Sequence, residues 1–379
     1  MAVLLRILNG LLEKRIMNKK NKNIIISVFS VCIFIILISY AYINRNKEVK
    51  VEPTPPIKTV LHKDKIHHIF FHSLILDPNL AFHGDGDRQG YQDYMITRNE
   101  FLKILPSLYE KNFILINPNL LYTKNEDGTI SKKDLYLPEG KRAMIISLDD
   151  LNYYKTQDNH GFANKLVLDK DGNVATEVTD KNGKNIVTRN GDIIPILDDF
   201  IKLHPDFSWQ GAKGIIAVTG YEGVFGYRTH KKENPTYKDD VQKVLNITKK
   251  LKETGWIFSS HSYSHGLPFR NDTISLSGVI YDTKRWDEEV RPLVGDTNIF
   301  IGPFGQVFKP YDPRREYLVS KGFNLLFGVG MDLYSEYFPK YLVMNRADID
   351  GIRLLQTPWY LKEYFNVDEV VDPARYKVI

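Results

Sequence analysis

From residue 66 onward, short aliphatic runs alternate with amphipathic stretches, which is the pattern of repeated strand–helix units. The runs that read as strands are 66–71, 113–116, 143–147, 215–218, 256–259, 298–301, 324–327 and 352–355. The stretches between them carry helix signals. Thr97 and Glu100 make a capping box ahead of Phe101, Ile104, Leu105 and Leu108. Asp239 and Asp240 precede Val241, Val244, Leu245 and Leu251, a stripe suited to covering a sheet. The pattern predicts an α/β fold, a distorted TIM-like (β/α) barrel of seven or eight strands, with working groups at the C-terminal ends of the strands. Residues 160–192 break the alternation and read as a β-hairpin insertion, with turns at Asp169-Lys170-Asp171-Gly172 and Asp180-Lys181-Asn182-Gly183. Asp169, Asp171 and Asn173 resemble a calcium loop only faintly. Gly172 is at the fourth position, where that loop needs its glycine at the sixth, so the plain turn is the preferred reading.

The longest apolar run lies upstream. Ile24 to Ile43 is 20 uncharged, mostly aliphatic residues, enough to cross the roughly 30 Å hydrocarbon core as a helix. It predicts one N-terminal transmembrane helix, an anchor or signal sequence, preceded by a basic cytoplasmic segment at 1–23. Bases before the run orient everything downstream to the outside of the cell membrane as a single-pass protein. Ser39 and Ala41 also fit the small-residue rule for signal cleavage, and removal after Ala41 would leave a secreted chain. Met17, followed by Lys-Lys-Asn-Lys-Asn, offers an alternative start. Residues 44–65, with Glu-Pro-Thr-Pro-Pro at 52–56, read as an extended linker, and 66–379 as the catalytic domain.

Charge and cysteine content narrow the chemistry. The net charge of +5 is local: residues 1–23 hold six bases against one acid and residues 24–65 six against three, which leaves 66–379 at −3. Such a domain offers no electrostatic footprint for nucleic acid. A single cysteine, Cys32, excludes a disulfide framework and any Cys-based metal site, so a metal here must be held by His and carboxylates.

Two clusters carry chemistry. Ile145-Ile146-Ser147-Leu148-Asp149-Asp150 is a hydrophobic strand ending in two carboxylates, where a barrel puts its working groups. Adjacent strand residues point to opposite sides, so the pair suits two different jobs rather than the facing carboxylates of a glycosidase. Ser259 to His265 follows another strand and carries His261 and His265 four residues apart, which share a face on a helical turn. Two imidazoles and a carboxylate form a facial set for a divalent metal that leaves positions open.

With these residues in place, the sequence resembles the polysaccharide deacetylase family (carbohydrate esterase family 4, NodB-like). Ser147-Leu148-Asp149-Asp150 resembles the first motif, usually Thr-Phe-Asp-Asp, and His261-Ser262-Tyr263-Ser264-His265 the second. The strand at 215–219 before Gly220 looks like the family's Ala-Thr-Phe-Phe-Val run, and Ile301-Gly302-Pro303-Phe304-Gly305 looks like the third motif. The resemblance covers about residues 66–360. It implies that Asp150, His261 and His265 hold the metal, zinc being the expected ion with cobalt, nickel or manganese fitting the same set. It implies further that Asp149 is the catalytic base, and that the Phe304 N–H, between Pro303 and Gly305, faces the oxyanion and substrate. The implied function is removal of N-acetyl groups from an acetamido-sugar polymer, peptidoglycan or a poly-N-acetylglucosamine, outside the cell. A non-catalytic glycan-binding relative and an O-acetyl esterase are the competing readings.

Two departures from the family pattern stand out. The third motif's arginine is replaced by Phe300 or Ile301, and Arg346 is the candidate to supply that charge from a later strand end, with a surface salt bridge as the plain alternative. The fifth motif, Leu-x-His, becomes Leu354-Leu355-Gln356, and no histidine follows His265. His72 is the candidate replacement acid. It ends the first predicted strand, as a histidine does in exported poly-N-acetylglucosamine deacetylases, which this chain resembles in that respect.

Overall fold

The aliphatic runs become parallel strands that close into a ring in the computed structural model, which describes residues 57–375. The strands are β1 (His67–Phe71), β2 (Phe113–Leu115), β3 (Arg142–Leu148), β4 (Ile215–Val218), β5 (Ile257–Ser260), β6 (Ile299–Ile301), β7 (Leu325–Val329) and β8 (Leu342–Asp348). Seven of them form a closed parallel barrel in the order β1-β3-β4-β5-β6-β7-β8 and back to β1. Strand β2 lies outside the ring, paired with Arg142–Met144 of β3, while Ser147 and Leu148 of the same strand pair with Ile215 and Ile216 of β4. The β5–β6 junction rests on a single register pair, Ser260 with Phe300.

The two faces of each strand separate into different cores, as a period of two requires. Ile145, Ala217, Ile301, Phe327 and Met344 cluster inside the barrel. Ile146, Leu148, Ile216 and Val218 pack outward against helices, among them α1 (Arg98–Glu110), α2 (Ile193–Leu203) and α3 (Tyr237–Glu253). Helix α1 carries the expected reciprocal cap: Thr97 Oγ1 accepts from Glu100 N at 3.1 Å, and Glu100 Oε2 accepts from Thr97 N at 2.7 Å. On the other flank, α4 (Leu276–Glu289) and α5 (Pro313–Ser320) cover β6 and β7 through Val279, Leu318, Phe300 and Leu326. The insertion at 160–192 contains a three-stranded antiparallel sheet, Lys165–Leu168, Val174–Thr179 and Asn185–Thr188. The Asp169 carboxylate accepts from the Asp171 and Asn173 N–H groups, which accounts for it as a turn residue.

Three expectations need correction. Among the described residues no helix is long and apolar enough to cross a membrane, so the N-terminal transmembrane helix is not supported as part of the fold; residues 24–43, on which it was read, lie outside the described residues. The run at 352–355 is not a strand. It belongs to α6 (Gly351–Gln356), because the Asp350 side chain accepts from Arg353 N at 2.8 Å and caps a helical start. Gln356 is therefore an exposed residue at a helix end, not a strand-end position. The strand that completes the ring is β8, whose inward Arg346 and neighbouring Asn345 interrupt the aliphatic pattern.

Candidate metal centre

The inward positions of the strands change from apolar to polar at the C-terminal mouth. On β3 the inward sequence runs Ala143, Ile145, Ser147, Asp149, and β4 likewise leads to Thr219 and β5 to His261. Asp150 should by alternation face away. It does not, because it adopts a left-handed backbone with φ 55°, which turns its carboxylate back toward the mouth. His261 follows β5 directly, and His265 is reached through a loop in which Ser262 (φ 59°) and His265 (φ 45°) are also left-handed. The two imidazoles are thus brought together by a loop rather than by the helical turn that the spacing predicts.

The side chains of Asp150, His261 and His265 form a group that could hold a metal ion, with their donor atoms within 4.8 Å of one another. His265 Nε2 is 3.6 Å from Asp150 Oδ2, and His261 Nε2 is 4.0 Å from Asp150 Oδ1. His261 Nδ1 lies 2.8 Å from the Ile301 carbonyl, so Nδ1 carries the proton and Nε2 presents its lone pair to the group. Burial lowers the His261 pKa against the pull of both carboxylates, favouring the neutral form that binds metals. The donor set, two imidazoles and a carboxylate with no thiolate, is one that a divalent metal ion accepts.

Asp149 is held apart from this group by its own partner. Arg346, fully buried, reaches it with two parallel hydrogen bonds, Nη1 to Oδ1 at 2.7 Å and Nη2 to Oδ2 at 2.9 Å. The guanidinium also donates to Gly328 O and Ser147 Oγ and lies over the Phe70 ring. Burial alone would push the Asp149 carboxyl up, but the charges of Arg346 and His261 outweigh it and hold the group well below the usual carboxylate range. Asp149 Oδ2 is 3.8 Å from His261 Nε2, so the Arg346-bound carboxylate borders the candidate ligand group. Arg346 is not a surface salt bridge. His72 is partly buried beside Phe70, close enough to Asp149 and Asp150 to act electrostatically on both, less than Arg346 and the other two histidines do. Phe304, in a left-handed turn between Pro303 and Gly305, sets its ring 4.3 Å from that of His265.

Several residues at the mouth carry no signal that sequence reasoning used. Asp282 of α4 accepts from Tyr263 N at 2.7 Å and Ser264 N at 3.0 Å, which anchors the loop bearing both histidines. Its role is invisible locally, because it lies well downstream in sequence. Tyr154 donates to Asp150 Oδ1 at 2.6 Å, and burial together with that carboxylate pushes its phenol well above the ordinary value. Asn152 laces the loop after β3 to the one after β4, through Thr219 O at 3.0 Å and Thr219 N at 3.3 Å. Beneath them, His68 Nε2 meets Ser147 Oγ at 3.1 Å, extending the Arg346 network into the barrel. The polar Asn152-Tyr153-Tyr154 run, one residue beyond Asp149-Asp150, was the one available hint. A scan against protein-family models matches no family, and a search of curated proteins finds no relative.

Proposed function

We propose that this chain is a metal-dependent N-deacetylase of an acetamido-sugar polymer, similar to the polysaccharide deacetylases. The observation that carries the reading is the pairing of an N2O ligand group with a separate carboxylate, Asp149, fixed beside it by Arg346. A structural ion site would have no use for a second buried carboxylate held in one orientation by an arginine.

Asp150, His261 and His265 are the residues that would hold the ion, with zinc the expected one. When bound, the ion supplies Lewis acidity toward water and the acyl carbonyl. Asp149 takes the proton of the attacking water, and its two bonds to Arg346 keep it ionised and oriented until it does. The oxygen forms its bond to the carbonyl carbon, and the Phe304 N–H donates to the oxyanion that develops. His72 delivers a proton to the nitrogen as the carbon–nitrogen bond breaks, giving acetate and a free amino sugar. Peptidoglycan and poly-N-acetylglucosamine both present the required acetamido group.

The test is acetate release, by mass spectrometry, from chitooligosaccharides and purified peptidoglycan with and without chelator. Chelator-sensitive release from either supports the reading, and His72→Ala should slow it about 10²- to 10⁴-fold with metal content unchanged. A metal-loaded chain that releases acetate from no acetylated glycan overturns the reading in favour of a glycan-binding module.

A further inference from the structure

We propose that Tyr154, backed by Thr219, is a positioning residue that dictates which oxygen of Asp150 is offered to a metal. The inference rests on the metal-binding reading of the Asp150, His261 and His265 group.

The hydrogen-bond directions are fixed by chemistry. A carboxylate only accepts, so the Tyr154 hydroxyl donates to Asp150 Oδ1, 2.6 Å away. With that proton committed, the contact between the Tyr154 oxygen and Thr219 Oγ1 at 2.9 Å must be donated by the threonine. A single directed string therefore runs from Thr219 through Tyr154 to Oδ1, and such strings polarise and strengthen each other. Oδ1, 4.0 Å from His261 Nε2, has one lone pair committed to Tyr154, whereas Oδ2 makes the nearer approach to an imidazole, 3.6 Å from His265 Nε2.

The string is held by rigid surroundings. The Tyr154 ring stacks on Tyr221 with centroids 5.0 Å apart and planes 24° from parallel. Its neighbour Tyr153 donates to the buried Asp192 at 2.7 Å, and Asn152 ties the Thr219 backbone to the same loop. Asp150 needs such a brace because its left-handed backbone places it in a turn, not in the strand ladder. Without the brace the carboxylate could rotate and bind through both oxygens, taking a position that substrate and water require.

The test uses the purified full-length chain titrated with zinc and with cobalt, comparing wild type with Tyr154→Phe, Thr219→Val and Thr219→Ser. Loss of the phenol hydroxyl should weaken metal binding about 10- to 100-fold, as is typical when a partner of a metal ligand is removed. It should also alter the visible absorption of the cobalt form. Thr219→Val should show a smaller loss, and Thr219→Ser, which keeps the hydroxyl, none. A purely packing role would lower the melting temperature of the metal-free variants and leave affinity and the cobalt spectrum untouched, which overturns the proposal. If Tyr154→Phe does not fold, equal affinities in the Val and Ser variants overturn it as well. Wild type that takes up neither ion removes the metal reading itself, a distinct result from a metal-binding wild type matched by its Phe variant.

Discussion

Asp149 and Asp150 are neighbours in sequence, yet one ends a strand against an arginine and the other turns through a left-handed residue toward two imidazoles. That difference divides their roles. If Asp149 is the base and Asp150 a ligand, as proposed, Asp149→Asn should retain metal and lose most turnover, whereas Asp150→Asn should lose metal first. Metal content by mass spectrometry beside acetate release separates the two; equal metal and equal residual activity would refute the division. The Arg346 pair makes a second prediction. Arg346→Met leaves Asp149 buried and unpaired, which should cost about 3–5 kcal/mol of stability in denaturant titration. Adding Asp149→Asn to that variant should recover much of the loss, since the stranded charge goes with it. Asp149, Asp150 and His261 were legible because they close aliphatic strands, and His265 because it lies four residues beyond His261. The contact between Asp149 and Arg346 joins residues nearly 200 positions apart, so only the missing third-motif arginine, and no local pattern, pointed to Arg346.

At the level of elements, the strands with uninterrupted aliphatic runs were legible, and β8 was not. Its inward face must supply Arg346 to the mouth, so the same residue that serves the site removes the hydrophobic signature of the strand. The nearby run at Ile352, Leu354 and Leu355 looked more strand-like, and only the Asp350 cap sends it into α6. That cap carries a pH dependence. Burial, then the adjacent Asp348 charge, raises the Asp350 carboxyl from 3.8 to about 7, against the opposing influence of Arg353 and Arg375. In that window the folded chain keeps a proton the unfolded chain has released, so the contribution of Asp350 to stability falls as pH rises from about 4 to about 7. Asp350→Asn retains a capping side chain and does not titrate. Denaturation midpoints at about pH 5 and about pH 8 should therefore differ less in the variant than in the wild type. An unchanged difference would show that the cap does not titrate in this range.

For the molecule as a whole, the alternation of strand and helix conveyed a barrel, but ring closure, the position of β2 and the short junctions are properties of register that no local pattern encodes. The single-pair joint between β5 and β6 gives the candidate ligands a mechanical meaning. His261 spans that joint, since its backbone continues β5 while its Nδ1 proton reaches Ile301 at the end of β6. Across the mouth, Asp150 leaves β3 just beyond its two-pair contact with β4. An ion gripping both residues would therefore rivet two of the barrel's thinner seams, and occupancy and wall integrity would become one thermodynamic quantity. Hydrogen exchange would register it: zinc should slow the amides of Ile215–Val218 and Ile299–Ile301 more than those of β7, which pairs with β8 over five register pairs and with β6 over three. Uniform slowing across the barrel would mean that the seams do not open on their own. If they do, and the group holds an ion, a chelator would act on this protein as a local solvent for its walls, loosening the scaffold beside Asp150 and His261.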